Sequence, residues 1–163
     1  MAQTVHLTLQ IAGSQVEGES RIASMDRENT IECSAFTYNL DAPWDPPTGK
    51  LTGRRQHGPV TITKRIDRST PLLLKALCEN EPVTEAKFRF FRPAVSGAGN
   101  EEQFYTVILE DGFVSSVQQV SRDTIVGGEK APPMMEEVSF VFQRITWTYE
   151  IGGATHTDSL RSR

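Results

Sequence analysis

Cysteine and histidine are scarce in this 163-residue chain. Only Cys33 and Cys78 are present and they form no CxxC, which excludes a disulfide framework and leaves both thiols expected as reduced, buried, small hydrophobes. The three histidines, His6, His57 and His156, fall in no HxH, HExxH or mixed Cys/His spacing, so no metal site and no cofactor is expected. No apolar run approaches the roughly 18 residues of a membrane-spanning helix. The opening Met1-Ala-Gln-Thr-Val-His-Leu lacks the basic and apolar regions of a cleaved signal peptide, so folding in the cytoplasm is expected. There is no basic excess either: the net charge of -4 argues against a phosphate-binding surface and against nucleic acid as a partner.

Catalytic constellations are equally absent from the pattern. No GxSxG exists, Cys78 falls in the apolar stripe of a predicted helix, and Gly127-Gly128-Glu129-Lys130 lacks the spacing of a phosphate loop. A cupin-like enzyme needs several interior histidines, and only His6 sits in a predicted strand. The acidic pairs Glu101-Glu102, Glu110-Asp111 and Glu136-Glu137 flank predicted strands at turns, where solvated charge guards sheet edges. The expectation is a protein that is not an enzyme.

What is present is enough for one core. Apolar residues are 37% and charged residues 23%, and the length suits a single domain over 1–163. Val5, Leu7, Leu9 and Ile11 alternate with His6, Thr8 and Gln10, the period of a strand with one buried face. Further runs rich in β-branched and aromatic residues cover 30–40, 59–66, 85–92, 102–109, 113–120 and 137–151. In the last run Val138, Phe140 and Phe142 are on even positions and Ile145, Trp147, Tyr149 and Ile151 on odd ones, so the buried face switches near Gln143-Arg144. The run at 30–40 switches too, from Ile31, Cys33 and Ala35 to Phe36, Tyr38 and Leu40. Such switches mark bulges or bends, which are how a sheet curls.

One segment reads as a helix: Thr70 as cap, Pro71 at the first position, Leu73, Leu74, Leu77 and Cys78 as the stripe, Asn80 and Pro82 as the stop. The fold class is therefore mainly β, a small β-barrel of two curled antiparallel sheets with one short helix. Three stretches lie outside this frame, at 41–57, 95–100 and 121–133. The longest, 41–57, exceeds what a compact domain usually leaves irregular, and Trp44 among its prolines points to a surface that packs on something.

Gly18-Glu19-Ser20, Ile66-Asp67-Arg68-Ser69-Thr70-Pro71, Val114-Ser115-Ser116-Val117, and Val138-Ser139-Phe140 followed by Trp147-Thr148-Tyr149 resemble, in the same order, the hemolysin-coregulated proteins (Hcp) of the bacterial type VI secretion system. The loop from Asp45 to His57 is similar to one branch of that family. The resemblance implies a phage-tail-tube-like β-barrel whose hexameric rings stack into an inner tube. Its partners would be further copies of itself, the sheath, spike and baseplate proteins, and secreted effectors. It also implies a protein that is cytoplasmic before firing and then secreted without a signal peptide, with no toxin domain fused within 1–163. A ring of identical subunits needs one patch to meet a different one next door. The expected contacts are Trp44, Asp45, Thr48, Arg54, Arg55 and His57, against an ordinary solvated role for Arg54 and Arg55. Two other roles remain open: a carrier or chaperone of effectors first of all, or a monomeric ligand-binding barrel.

Overall fold

The computed structural model describes residues 3–97, 99–123, 125 and 133–161. Its strands are β1 (Thr4–Ile11), β2 (Ser14–Val16), β3 (Ile31–Thr37), β4 (Leu40–Asp41), β5 (Trp44–Asp45), β6 (Lys50–Leu51), β7 (Gln56–His57), β8 (Val60–Arg65), β9 (Val83–Pro93), β10 (Glu101–Val120), β11 (Met135–Val141), β12 (Arg144–Tyr149) and β13 (Ala154–Ser159). The helix α1 (Thr70–Glu79) lies between β8 and β9. The main sheet runs β11-β8-β3-β1-β9-β10-β12-β13, all antiparallel, and a further β10–β11 pairing closes it on itself.

Closure goes through one bent strand. Residues 101–112 of β10 pair with β9 and residues 105–110 with β12, whereas Phe113 to Val120 pair with β11. Two curled sheets thus share β10, an arrangement more open than a regular barrel. The bend sits at Asp111, whose φ of 53° is in the left-handed region, and Gly112, where any Cβ would overlap the Val141 carbonyl oxygen. The runs at 102–109 and 113–120 are therefore one strand, and Glu110-Asp111 is a bend inside it and not a turn between two.

Both expected phase switches are present. In β3 the register with β8 shifts between Cys33 and Ala35, and the Ser34 hydroxyl donates to the Thr63 carbonyl oxygen. At the other switch β11 ends at Val141 and β12 begins at Arg144, so the change of buried face moves the pairing along β10, from Phe113–Val120 to Tyr105–Glu110, and changes the neighbour on the other side from β8 to β13. β13 was not foreseen, because Ala-Thr-His-Thr-Asp-Ser carries no apolar alternation. It pairs with β12 through hydroxyl couples, Thr146 with Thr157 and Thr148 with Thr155, each 3.0 Å.

The interior is filled by side chains. Leu7, Leu9, Ile31, Val60, Ile62, Phe88, Val138, Phe140 and Ile145 are fully buried. Helix α1 packs on β10 and buries Thr70, Leu73 and Ala76, with Leu77 half-buried. Cys78 is exposed, contrary to the sequence expectation, because the buried stripe follows Thr70-Leu73-Ala76 and turns the thiol to solvent. Cys33 is buried as expected, and burial pushes its thiol up to about 12. Asn80 ends the helix in the left-handed conformation.

The Glu136 prediction also needs correction. Glu136 is 1% exposed and ion-paired with the fully buried Lys64. The Lys64 ammonium also donates to Asp67 Oδ1 at 3.0 Å, and the Thr70 hydroxyl donates to Glu136 Oε1 at 2.8 Å. Thr70 is thus a bridge and not a cap, and the N-cap is Ser69. Next to this seam Arg68 donates to Gly18 O at 2.6 Å and to Asn29 Oδ1 at 2.8 Å, and its backbone N–H donates to Glu19. A Cβ at Gly18 would lie 2.5 Å from the Thr30 carbonyl oxygen, so only glycine fits there. The first two sequence motifs are therefore the two sides of one joint.

Candidate functional site, a projecting arm and its anchor

The stretch 40–57 is an arm of two short antiparallel pairs, β4 with β7 and β5 with β6, linked by a Thr52 N–H to Pro43 O bond of 2.9 Å. Its sequence closes the tip. Asp45 stands opposite Lys50, the Gly49 N–H donates to Asp45 O at 2.7 Å, and the Thr48 hydroxyl donates to Asp45 Oδ2 at 2.6 Å. Gly49 has φ 69°, a conformation glycine adopts without strain. Two apolar side chains face each other across β5 and β6, Trp44 at 59% and Leu51 at 70% exposure.

The base is different. Arg55 forms a fork to Asp158 on β13, Nε to Oδ2 at 2.5 Å and Nη2 to Oδ1 at 2.7 Å, and donates to Ser159 O at 3.2 Å. His57 Nε2 is 2.6 Å from Asp158 Oδ2, and its Nδ1 is 2.6 Å from the Tyr38 hydroxyl. The imidazole is 3% exposed, stacked on Trp147 with centroids 6.2 Å apart and edge-on to Phe142 at 5.5 Å. Trp147 stacks in turn on His156. The Arg55 fork and the His57 bond hold the Asp158 carboxyl at about 2, below its ordinary value, with burial opposing.

A hydroxyl, an imidazole and a carboxylate in hydrogen-bond series resemble a catalytic relay in order only. Burial, with Asp158 adding to it, pushes the Tyr38 hydroxyl up to about 12, the opposite of an activated nucleophile. Asp158 is engaged by Arg55 as well, and the ring between Trp147 and Phe142 has no open face. This arrangement positions the arm. Among the described residues no group of three His, Cys, Asp or Glu side chains could hold a metal ion.

The six residues singled out from the sequence thus separate. Trp44 is presented at the tip, Asp45 and Thr48 close the tip turn, Arg54 is exposed, and Arg55 and His57 are bonded within the chain to Asp158. Asp158 and Tyr38, the fixed points of the base, were missed, as was Leu51. Leu51 was legible as an apolar residue in a polar loop. Asp158 was not, since it lies 103 residues from Arg55 on a strand without apolar pattern.

Comparison with known proteins agrees with this geometry over nearly the whole chain. The family described as "Type VI secretion system effector, Hcp" matches residues 8–149. The "Major exported protein" of Pseudomonas aeruginosa is 35% identical over 135 residues, covering 83% of this chain and 77% of that one. Among solved structures, an Hcp1 protein from E. coli EAEC 042 superposes with a TM-score of 0.82 at 34% identity, covering 97% of this chain and 99% of the other. Another Hcp crystal structure gives 0.86 at 23% identity over 99% and 100% of the two chains, a likeness of fold.

Proposed function

The chain belongs to the Hcp family of the type VI secretion system, and we propose that it is a structural subunit of that system's inner tube. In this reading it forms hexameric rings that stack inside the sheath on the baseplate and spike. The tube is expelled from the cell and carries effectors. The observation that carries the proposal is the arm: its base is fixed to β13 while Trp44 and Leu51 at its tip are exposed.

A paired apolar couple on a rigid projection gains from a partner. Burying the two side chains is worth about 2–4 kcal/mol in all by area, before the cost of association. A second copy supplies that partner at a symmetric position every time, which is what stacking requires. The lateral contact has its own support. In the described strand order β13 lies at the end, with β12 as its neighbour, and the edge of a terminal strand offers backbone groups to a neighbouring subunit.

The test is to replace residues 42–54 with a short turn, keeping the Arg55 anchor, and to image this variant and the wild type by negative stain. The proposal expects rings and stacks from the wild type and a loss of stacking in the deletion. Unchanged ring size and stacking in the deletion would sink the role given to the arm. Co-purification of a secreted client with wild-type rings would add the carrier function.

A further inference from the structure

The arm continues β3 and β8 past their last pair, Thr37 with Thr61, so it leaves the main sheet at one end of those strands. The register puts a second feature at their other end. Arg65 ends β8 opposite Met135, Met135 stands opposite Val120, and the Ile66 N–H donates to the Met134 carbonyl oxygen. The rise from Val60 to Arg65 sets this end about 17 Å from the arm's root. Val120, Met134 and Ile66 are all exposed there.

Beside them is a hollow of about 140 Å³, lined among the described residues by the apolar Val120, Pro133 and Met135, with Arg122 and Glu137 as its exposed charges. Thr63 and Glu137 pair across β8 and β11 between the buried Ile62, Lys64, Glu136 and Val138, so the hollow lies on the face turned away from the core. Its volume is on the scale of the roughly 150 Å³ that admits a benzene-sized ring. The lining holds one free charge of each sign, and the charge of Glu136 is met by Lys64, so the hollow favours apolar surface over an ion.

The arm's tip has the matching shape. Trp44 and Leu51 face each other in the open, and Trp44 offers an aromatic ring to a hollow of that size. Tip and hollow belong to opposite ends of β3 and β8, so a contact between them runs head to tail and repeats from copy to copy. Another exposed apolar couple, Phe113 with Val141, lies at the arm's own end, next to the Phe140–Val60 pair, and would set two copies arm end to arm end. Size decides the kind of partner. One ring in one hollow buries far less than the roughly 1,200 Å² of a stable two-body interface, so the contact holds only a partner that repeats it around a ring.

Resting on the reading of the arm as a stacking element, we propose that its receiver is this hollow on a second copy of the chain: the Trp44 ring enters between Val120, Pro133 and Met135 of the next copy, and Leu51 lies on the rim formed by Met134 and Ile66. Each contact is weak alone. Isolated chains therefore do not pair through it, and closed rings do.

The test uses the full chain in three forms, wild type, Val120→Asp and Phe113→Ser, with ring and stack masses followed by light scattering and negative stain. Val120→Asp raises the concentration needed for stacking by more than about tenfold, because every contact around the ring is weakened together, and leaves single rings of wild-type mass. Phe113→Ser stacks as the wild type does. A second measurement is independent of how Val120→Asp folds: Leu51→Cys with Met134→Cys in a Cys78→Ser chain, joined by a short bismaleimide, gives covalent ladders longer than a dimer, and each single cysteine variant does not. Stacks from Val120→Asp at wild-type concentration, stacks lost in Phe113→Ser alone, or no ladder from the paired cysteines overturns the hollow as receiver. If the arm deletion nonetheless abolishes stacking, the arm keeps its role and only its receiver is wrong; if the deletion also stacks, both readings fail.

Discussion

Two carboxylates organise this molecule, and they do so at different depths. Glu136 meets Lys64 where both side chains are fully buried, with Thr70 and Asp67 completing the network under the helix. Asp158 meets Arg55 and His57 at 13%, 36% and 3% side-chain exposure, on a strand at the end of the sheet. The first network joins β8, β11 and α1, three elements of the closed sheet and its cover. The second joins an appendage to a hairpin. Buried charges of the first kind are costly to leave unpaired, so they specify one packing of the core; the shallower pair of the second kind sets a pose that the rest of the fold does not need.

The largest effect expected from breaking this comparison is at the deep network. Lys64→Met leaves Glu136 buried without its cation and should lower unfolding stability by about 3–5 kcal/mol in denaturant titration, whereas Lys64→Met with Glu136→Leu should recover most of that loss. At the shallow network Asp158→Ala should cost about 1–2 kcal/mol. Its signature is local: hydrogen exchange accelerates over 40–57 while β1, β9 and β10 remain protected.

Acid gives a milder version of the same release. The Asp158 carboxyl is held at about 2 in the folded chain against an ordinary 3.8. Its contribution is therefore complete above about 3.8 and is lost as the pH falls through about 2, and the exchange protection of the arm should follow that window. The smallest stability effect belongs to the tip. Trp44→Ala changes unfolding stability by less than about 0.5 kcal/mol, because the side chain is mostly in solvent, while ring stacking is lost in electron micrographs.

The difference between the networks also explains what could be read in advance. Alternation of apolar residues reports which face of a strand is buried, so the curl of β3 and the break between β11 and β12 were both visible from Ile31 to Leu40 and from Val138 to Ile151. Burial of charge leaves no such periodic trace. Glu136 was indistinguishable from an edge guard until Lys64 and Thr70, 72 and 66 positions away, came to meet it. The continuity of β10 was hidden for a related reason: Glu110-Asp111-Gly112 has the composition of a turn, and only the proximity of Val141 makes it a bend. The arm was legible as a long loop with a tryptophan. Its division into anchor and tip was not, because the anchor's hub lies on a strand whose Thr, His and Ser residues have no buried face to report.

The measurement that bears most directly on the central claim is the native mass of the particle, by light scattering, for the wild type and Trp44→Ala side by side. The account predicts a wild-type mass of six chains or a multiple of six, and single rings of six without multiples for Trp44→Ala. Monomers of the wild type would contradict it.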